Sequence, residues 1–166
     1  QVRVSLVSDH TQQNLQRLAT AEELISANLA ATHKAPNPAD QRLLARTQYL
    51  MGRVHYYAAQ YPDAIRRYQQ VLELAHGLDD PELVALPAAV IGMAVAAQGN
   101  MAKAKGLLTR ALDPLAQTGD DFELVRSQLY MGFISAAMGD YRNGTAHIDA
   151  WLIRAQQMEN RLLTVM

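Results

Sequence analysis

Apolar residues recur along the chain at three- and four-residue spacing, the pattern of helices that each bury one face. From Thr11 to about His33, Leu15, Leu18, Ala19, Ala21, Leu24, Ile25 and Leu29 keep this spacing and predict one long helix. The Thr20/Glu23 pair resembles an internal capping box, so the sequence also allows a break near Thr20. Upstream, Gln1–Val7 alternates polar and apolar residues (Val2, Val4, Leu6) and reads as the remnant of a helix, since the chain offers no strand to pair with it. Lys34–Asp40, KAPNPAD, is the clearest linker. Pro36 and Pro38 push their predecessors out of the α region, and Asp40 or a neighbour can cap the helix that follows.

Three helix pairs are predicted beyond the linker. The first helix of each falls at about 40–59, 81–98 and 121–138, the second at about 62–76, 101–117 and 141–160. Asp79-Asp80-Pro81 and Gly119-Asp120-Asp121 are start signals, an acid at a positive dipole end and, in the first, Pro in the opening turn. Pro87 and Pro114 lie inside helical patterns and predict kinks.

The pairs repeat in register. Gly52, Gly92 and Gly132 stand forty residues apart. Ala59, Gly99 and Gly139 follow at one offset, then Gln60, Asn100 and Asp140, then Tyr61, Met101 and Tyr141. Ala64, Ala104 and Gly144 come next, and then the large residues Tyr68, Leu108 and Ile148. A small residue in mid-helix lets a second helix approach closely; Gly there costs about 1 kcal/mol against Ala, so packing must supply the reason. Gly-Asn and Gly-Asp suit tight turns in which Gly takes positive φ and Asn or Asp caps the next helix. One such pair cannot bury its apolar face alone, so successive pairs must stack.

The order small, aromatic or apolar, turn, small, large resembles the tetratricopeptide repeat. Gly52, Ala64 and Tyr68 match that family's pattern in the first copy, Gly92, Ala104 and Ala111 in the second, and Gly132 and Tyr141 in the third. No Trp opens a copy, the closing Pro is absent, and the period exceeds the family's usual ~34, which calls for longer helices or loops. LARTQYLMGRVHYYAAQY and DDPELVALPAAVIGMAVAAQG resemble in particular the MalT-like sensor arms of bacterial signal-transduction ATPases and transcription regulators. The resemblance spans about residues 40–160. It implies an all-α fold: a right-handed superhelical array of antiparallel helix pairs, an α-solenoid of about three full repeats plus an N-terminal helix. Residues 1–166 then form one domain: 1–35 an N-terminal helix or partial repeat, 40–78, 80–118 and 120–160 the repeats, and 161–166 a continuation.

Composition narrows the function. Nearly half of the 166 residues are apolar, ample for a buried core, and two Phe and one Trp leave Ala and Leu to do the packing. Fifteen basic against sixteen acidic residues give a net charge of −1, so no global field invites nucleic acid or an anionic membrane. The absence of Cys excludes disulfides and thiolate metal sites and suits the cytosol. No apolar run is long enough to span a membrane. A start at Gln1 without Met or leader reads as an excised fragment. His10, His33, His55, His76 and His147 show no metal-ligand spacing, no Gly-rich phosphate loop occurs, and Asp79-Asp80 and Asp120-Asp121 recur where helix caps belong. No cofactor or catalytic constellation is expected.

In repeats of this family the inner face of the first helices lines a concave groove. By that resemblance Arg46, Tyr49, Arg53, Tyr56 and Tyr57 face it in the first copy, Met93 in the second, and Arg126 and Phe133 in the third. Arg with Tyr can hold a carboxylate, a phosphate or an aromatic plane. The Lys and Asn of the family's carboxylate clamp are missing, which disfavours chaperone-tail peptides. The expected function is a non-catalytic module binding a protein or peptide, or a small-molecule inducer. The competing expectation is a structural segment that self-associates through an apolar C-terminal end (Leu162, Leu163, Val165, Met166).

Overall fold

The computed structural model describes the backbone of residues 2–31 and 37–165 and the side chains of 10–27 and 37–158. The described residues form seven helices and no strand: α1 (Val2–Ala31), α2 (Pro38–Tyr57), α3 (Tyr61–Ala75), α4 (Glu82–Ala97), α5 (Met101–Thr118), α6 (Asp121–Ala137) and α7 (Tyr141–Val165). The chain divides into two compact units, Gln1–Pro87 and Ala88–Met166.

In the first unit α1 packs on α2, and α2 on α3. Asn37 starts α2: its side-chain oxygen accepts from the amides of Ala39 and Asp40, at 2.9 and 3.0 Å, with Pro38 in the first turn. The linker's cap is therefore Asn37 rather than Asp40, while residues 34–36 of the linker lie outside the described residues. Ala64, Tyr68, Val71 and Ala75 make the buried stripe of α3. Ala45, Val71, Ala75 and Leu83 close into one core cluster, so the first turn of α4 lies against the α2–α3 pair. Asp80 caps that turn by accepting from the Leu83 amide at 3.3 Å.

The second unit repeats the scheme. The stripe of α5 is Ala104, Leu108, Ala111 and Leu115, each forty residues after its counterpart on α3. α6 packs on α5 and on α7. Asn100 accepts from the Lys103 amide at 3.2 Å and Asp120 from that of Glu123 at 3.0 Å, so the side chains expected to cap do so. Gly99 (φ +88°) and Gly139 (φ +81°) make the left-handed turns between paired helices. In the first pair the same place is held by Ala59, at φ +59°.

Thr20 does not break α1. Its hydroxyl donates to the Gln16 carbonyl at 3.0 Å, back-bonding inside a continuous helix instead of capping a new one. Extended forty residues upstream, the repeat register puts Gln12 and Leu24 where later copies have Gly and a small residue. The close approach that defines a pair is thus unavailable to α1. Pro87 and Pro114 lie within α4 and α5, both continuous. The side chains of Leu162, Leu163 and Val165, and all of Met166, lie outside the described residues.

Candidate functional site

Helix spacing builds one cleft of the first unit from two facing helices. α1 contributes Asn14, Arg17 and Leu18; α2 contributes Leu50, Arg53, Val54 and Tyr57, one turn apart along a single face. The cleft has a volume of about 430 Å³. Leu18 and Val54 are half-buried, whereas Tyr57 is 60% exposed, so the ring stands at an open edge. The Arg53 guanidinium carbon lies 5.9 Å from the Tyr57 ring centroid, a cation–π contact that orients both groups.

Arg53 and Tyr57 are thereby brought together from the set expected in the sequence. Arg46 is exposed on α2 two turns before Arg53. Tyr49 is half-buried and packs its ring 5.5 Å from that of Tyr68. Tyr56 is buried, with the rings of Tyr57 and Tyr61 each 5.7 Å away. Met93 is fully buried, at 0% exposed. Its place among ligand-contacting residues is corrected: α4 is apolar on nearly every face, so the position counted as facing the groove is core. Arg126 pairs with the buried Glu123 at 2.6 Å and lies 5.8 Å from the Phe122 ring centroid. Phe133, 63% exposed, lines a cavity of about 270 Å³ between α6 and α7 with Gly132, Tyr141, Gly144 and Ile148.

The contribution of α1 escaped the sequence reading. Asn14 and Arg17 lie outside the forty-residue register, and a polar pair on one long helix gives no signal of its own. Arg67 was missed for a similar reason. Its Nη1 donates to Gln48 Oε1 at 2.8 Å and Glu22 Oε2 at 3.2 Å, tying α3 to α2 and α1 through a half-buried network. Glu22 and Gln48 also line a cavity of about 320 Å³ with Leu44, Gln70, Glu73 and Leu74.

Titratable groups elsewhere serve structure. His55 Nδ1 donates to Gln60 Oε1 at 2.7 Å across the first turn. Asp140 Oδ2 accepts from Asn143 Nδ2 at 2.8 Å and from Lys105 Nζ at 3.0 Å, and these bonds, that of Asn143 first, hold the Asp140 carboxyl below its ordinary value. Burial, then the Lys105 charge, pushes the His147 imidazole down. No group of three or more His, Cys, Asp or Glu among the described residues could hold a metal ion, and no helix among them is long and apolar enough to cross a membrane.

No family model matches the chain, and no curated protein matches its sequence. Among solved structures it is similar to the apo form of RapI, at 14% identity and a TM-score of 0.77, over 98% of this chain and 56% of that one. It is also similar to BtubC (BKLC) from P. vanneervenii, at 14% identity and a TM-score of 0.66, over 90% of this chain and 58% of that one. A kinesin light chain of Podosopora anserina with nearly identical TPR-like repeats aligns at 16% identity and a TM-score of 0.49, over 95% and 97% of the two chains. The chain thus spans little more than half the length of RapI and BtubC. Its fold is all-α, built of tetratricopeptide-like helix pairs.

Proposed function

We propose that this chain is a non-catalytic binding module, a sensor or scaffold arm that takes a protein, peptide or small inducer against the first helices of its pairs. The observation that carries this reading is the α1–α2 cleft, where Arg53 and Tyr57 meet Asn14, Arg17 and an apolar wall. An occupant would bury the Tyr57 ring with Leu18, Leu50 and Val54 while a guanidinium fixes its orientation. Because α1 forms one wall, binding would favour one placement of α1 on α2, a population shift that a parent chain could read. That RapI, similar in fold, was solved in what is called its apo form supports a module with a bound state. The parent we favour is a bacterial, cytoplasmic regulatory ATPase or transcription regulator of the MalT-like kind.

The test is selection from a random peptide library on the immobilised protein, repeated with Arg53→Glu and Tyr57→Ala. Binders selected by wild type should be lost from both variants while their circular dichroism is unchanged. Binders indifferent to both substitutions would place the function elsewhere.

One observation favours a second reading, self-association through the C-terminal helix. The stripes of α3 and α5 are buried, but forty residues on, Ile148, Trp151 and Ala155 of α7 are half-buried. Beside them Leu152 and Ile153 are 46% and 57% exposed. Sedimentation equilibrium should then show a concentration-dependent dimer that Leu152→Lys with Ile153→Lys dissolves; a monomer at all concentrations ends this reading.

A further inference from the structure

The three cavities described above differ in charge. The α6–α7 cavity has no charged residue in its lining, and the one bounded by Gln48 and Gln70 carries the carboxylates Glu22 and Glu73. The α1–α2 cleft carries two guanidinium groups, Arg17 and Arg53, and no carboxylate. This positive lining is local, because the chain as a whole has a net charge of −1. The rest of the wall is hydrocarbon from Leu18, Leu50 and Val54, with the Tyr57 ring at the edge.

From this combination we infer that the α1–α2 cleft takes a small amphipathic monoanion, a free carboxylic acid with a compact apolar body. The inference rests on the reading of that cleft as a binding site and names what fills it. A guanidinium fork matches the two coplanar oxygens of a carboxylate, and Asn14 adds an amide donor on the α1 side. A phosphate dianion is more strongly hydrated and costs more to bring against an aliphatic wall. At about 430 Å³ the cleft falls in the range of small-ligand pockets. It accommodates a ring or short branched chain against Leu18, Leu50 and Val54.

Isothermal titration of the full chain with 4-phenylbutyrate, 4-phenylbutanol and 4-phenylbutylamine tests this. The acid should bind saturably at one site, and the alcohol and the amine of the same carbon skeleton roughly tenfold or more weakly, the worth of one charge-assisted contact. Arg17→Glu and Arg53→Glu should each weaken the acid by a similar factor, with Arg17→Gln and Arg53→Gln as milder versions checked by circular dichroism. Arg142→Glu, which makes the same charge change at a residue that does not line the cleft, should leave binding intact. Equal binding of acid and alcohol, both lost from Tyr57→Ala, would overturn the anion assignment and leave the cleft as a binding site. Acid binding unaffected by either Arg substitution would overturn it as well, by placing the anion elsewhere. No binding of any of the three probes overturns it too, and the peptide selection then decides the broader reading independently. Tighter binding of N-acetyl-leucyl-phenylalanine than of 4-phenylbutyrate would assign the anion to a peptide terminus and remove the free acid.

Discussion

The Tyr68 ring occupies the space into which a side chain at Gly52 would grow: a Cβ on Gly52 would stand 2.8 Å from Tyr68 Cε1. The same relation recurs forty residues on between Gly92 and Leu108 Cγ, at 2.7 Å, and again between Gly132 and Ile148 Cδ1, at 2.5 Å. Each pair of helices is therefore closed by a glycine on the first and a large residue on the second. Gly52→Ala should destabilise the chain by ~1–3 kcal/mol, because the fully buried Tyr68 must move. Gly106→Ala is the control: it lies exposed within α5 with nothing within 4 Å of the added methyl. It should stabilise by up to ~1 kcal/mol through helix propensity. Urea denaturation of the two variants beside wild type measures both, and equal effects would mean that the glycines are there for some reason other than close approach.

Ala59 is the first pair's exception. It holds φ +59° where the later pairs have Gly99 and Gly139, and a Cβ in that region costs ~1–2 kcal/mol. Part of the gain from Gly is returned as unfolded-state entropy, ~0.4–1 kcal/mol. Ala59→Gly should therefore raise stability by a net ~0.5–1 kcal/mol, read as a higher urea midpoint at unchanged slope. A lower midpoint would show that Ala59 makes a contact worth more than its strain.

The sequence was most legible where the register constrained it. Gly52, Tyr68 and their successors announced the pairs because close helix approach admits few residue types, so the same classes must return at the same offsets. Caps such as Asn100 and Asp120 were readable for the same reason. The candidate site was legible in part. Arg53 and Tyr57 follow from counting along α2, but Arg17 and Asn14 lie on a helix without a repeat partner. Met93 was misplaced because a position count cannot tell a groove face from a core face on a helix as apolar as α4. The role of Arg67 depends on three helices meeting, which no local pattern encodes.

Arg67 is the polar tie of the first unit, donating from α3 to Gln48 of α2 and to Glu22 of α1. Removing it leaves half-buried acceptors without their donor, at ~1–3 kcal/mol. Glu22→Gln should cost less, ~0–1 kcal/mol, since that carboxylate is part-exposed and keeps a neutral acceptor there. The discriminating measurement is native-state hydrogen exchange on Arg67→Ala: amides of α1 should lose protection before those of α3. Uniform loss across the unit would mean that Arg67 contributes general stability and does not fasten α1.

Acid sensitivity should trace to the second unit. Burial first, and the Lys105 charge second, depress the His147 imidazole below its ordinary value of 6.5, while Asp140 acts in the opposite sense. The unfolded chain then binds the proton more readily than the folded one, so stability falls as pH drops below about 6.5, until the folded-state imidazole also protonates. The Asp140 carboxyl, held low by Asn143 and Lys105, contributes in a separate window. Its contribution is intact above the ordinary 3.8 and disappears as pH falls through the lowered folded value. His147→Gln should flatten the decline of Tm with pH just below 6.5 and leave the steeper loss at stronger acidity, whereas Asp140→Asn should remove part of the latter and, by taking away a charge that favours the imidazolium, slightly deepen the former. Identical profiles for wild type and His147→Gln between pH 7 and 5 would show that this imidazole titrates alike in the folded and unfolded chain.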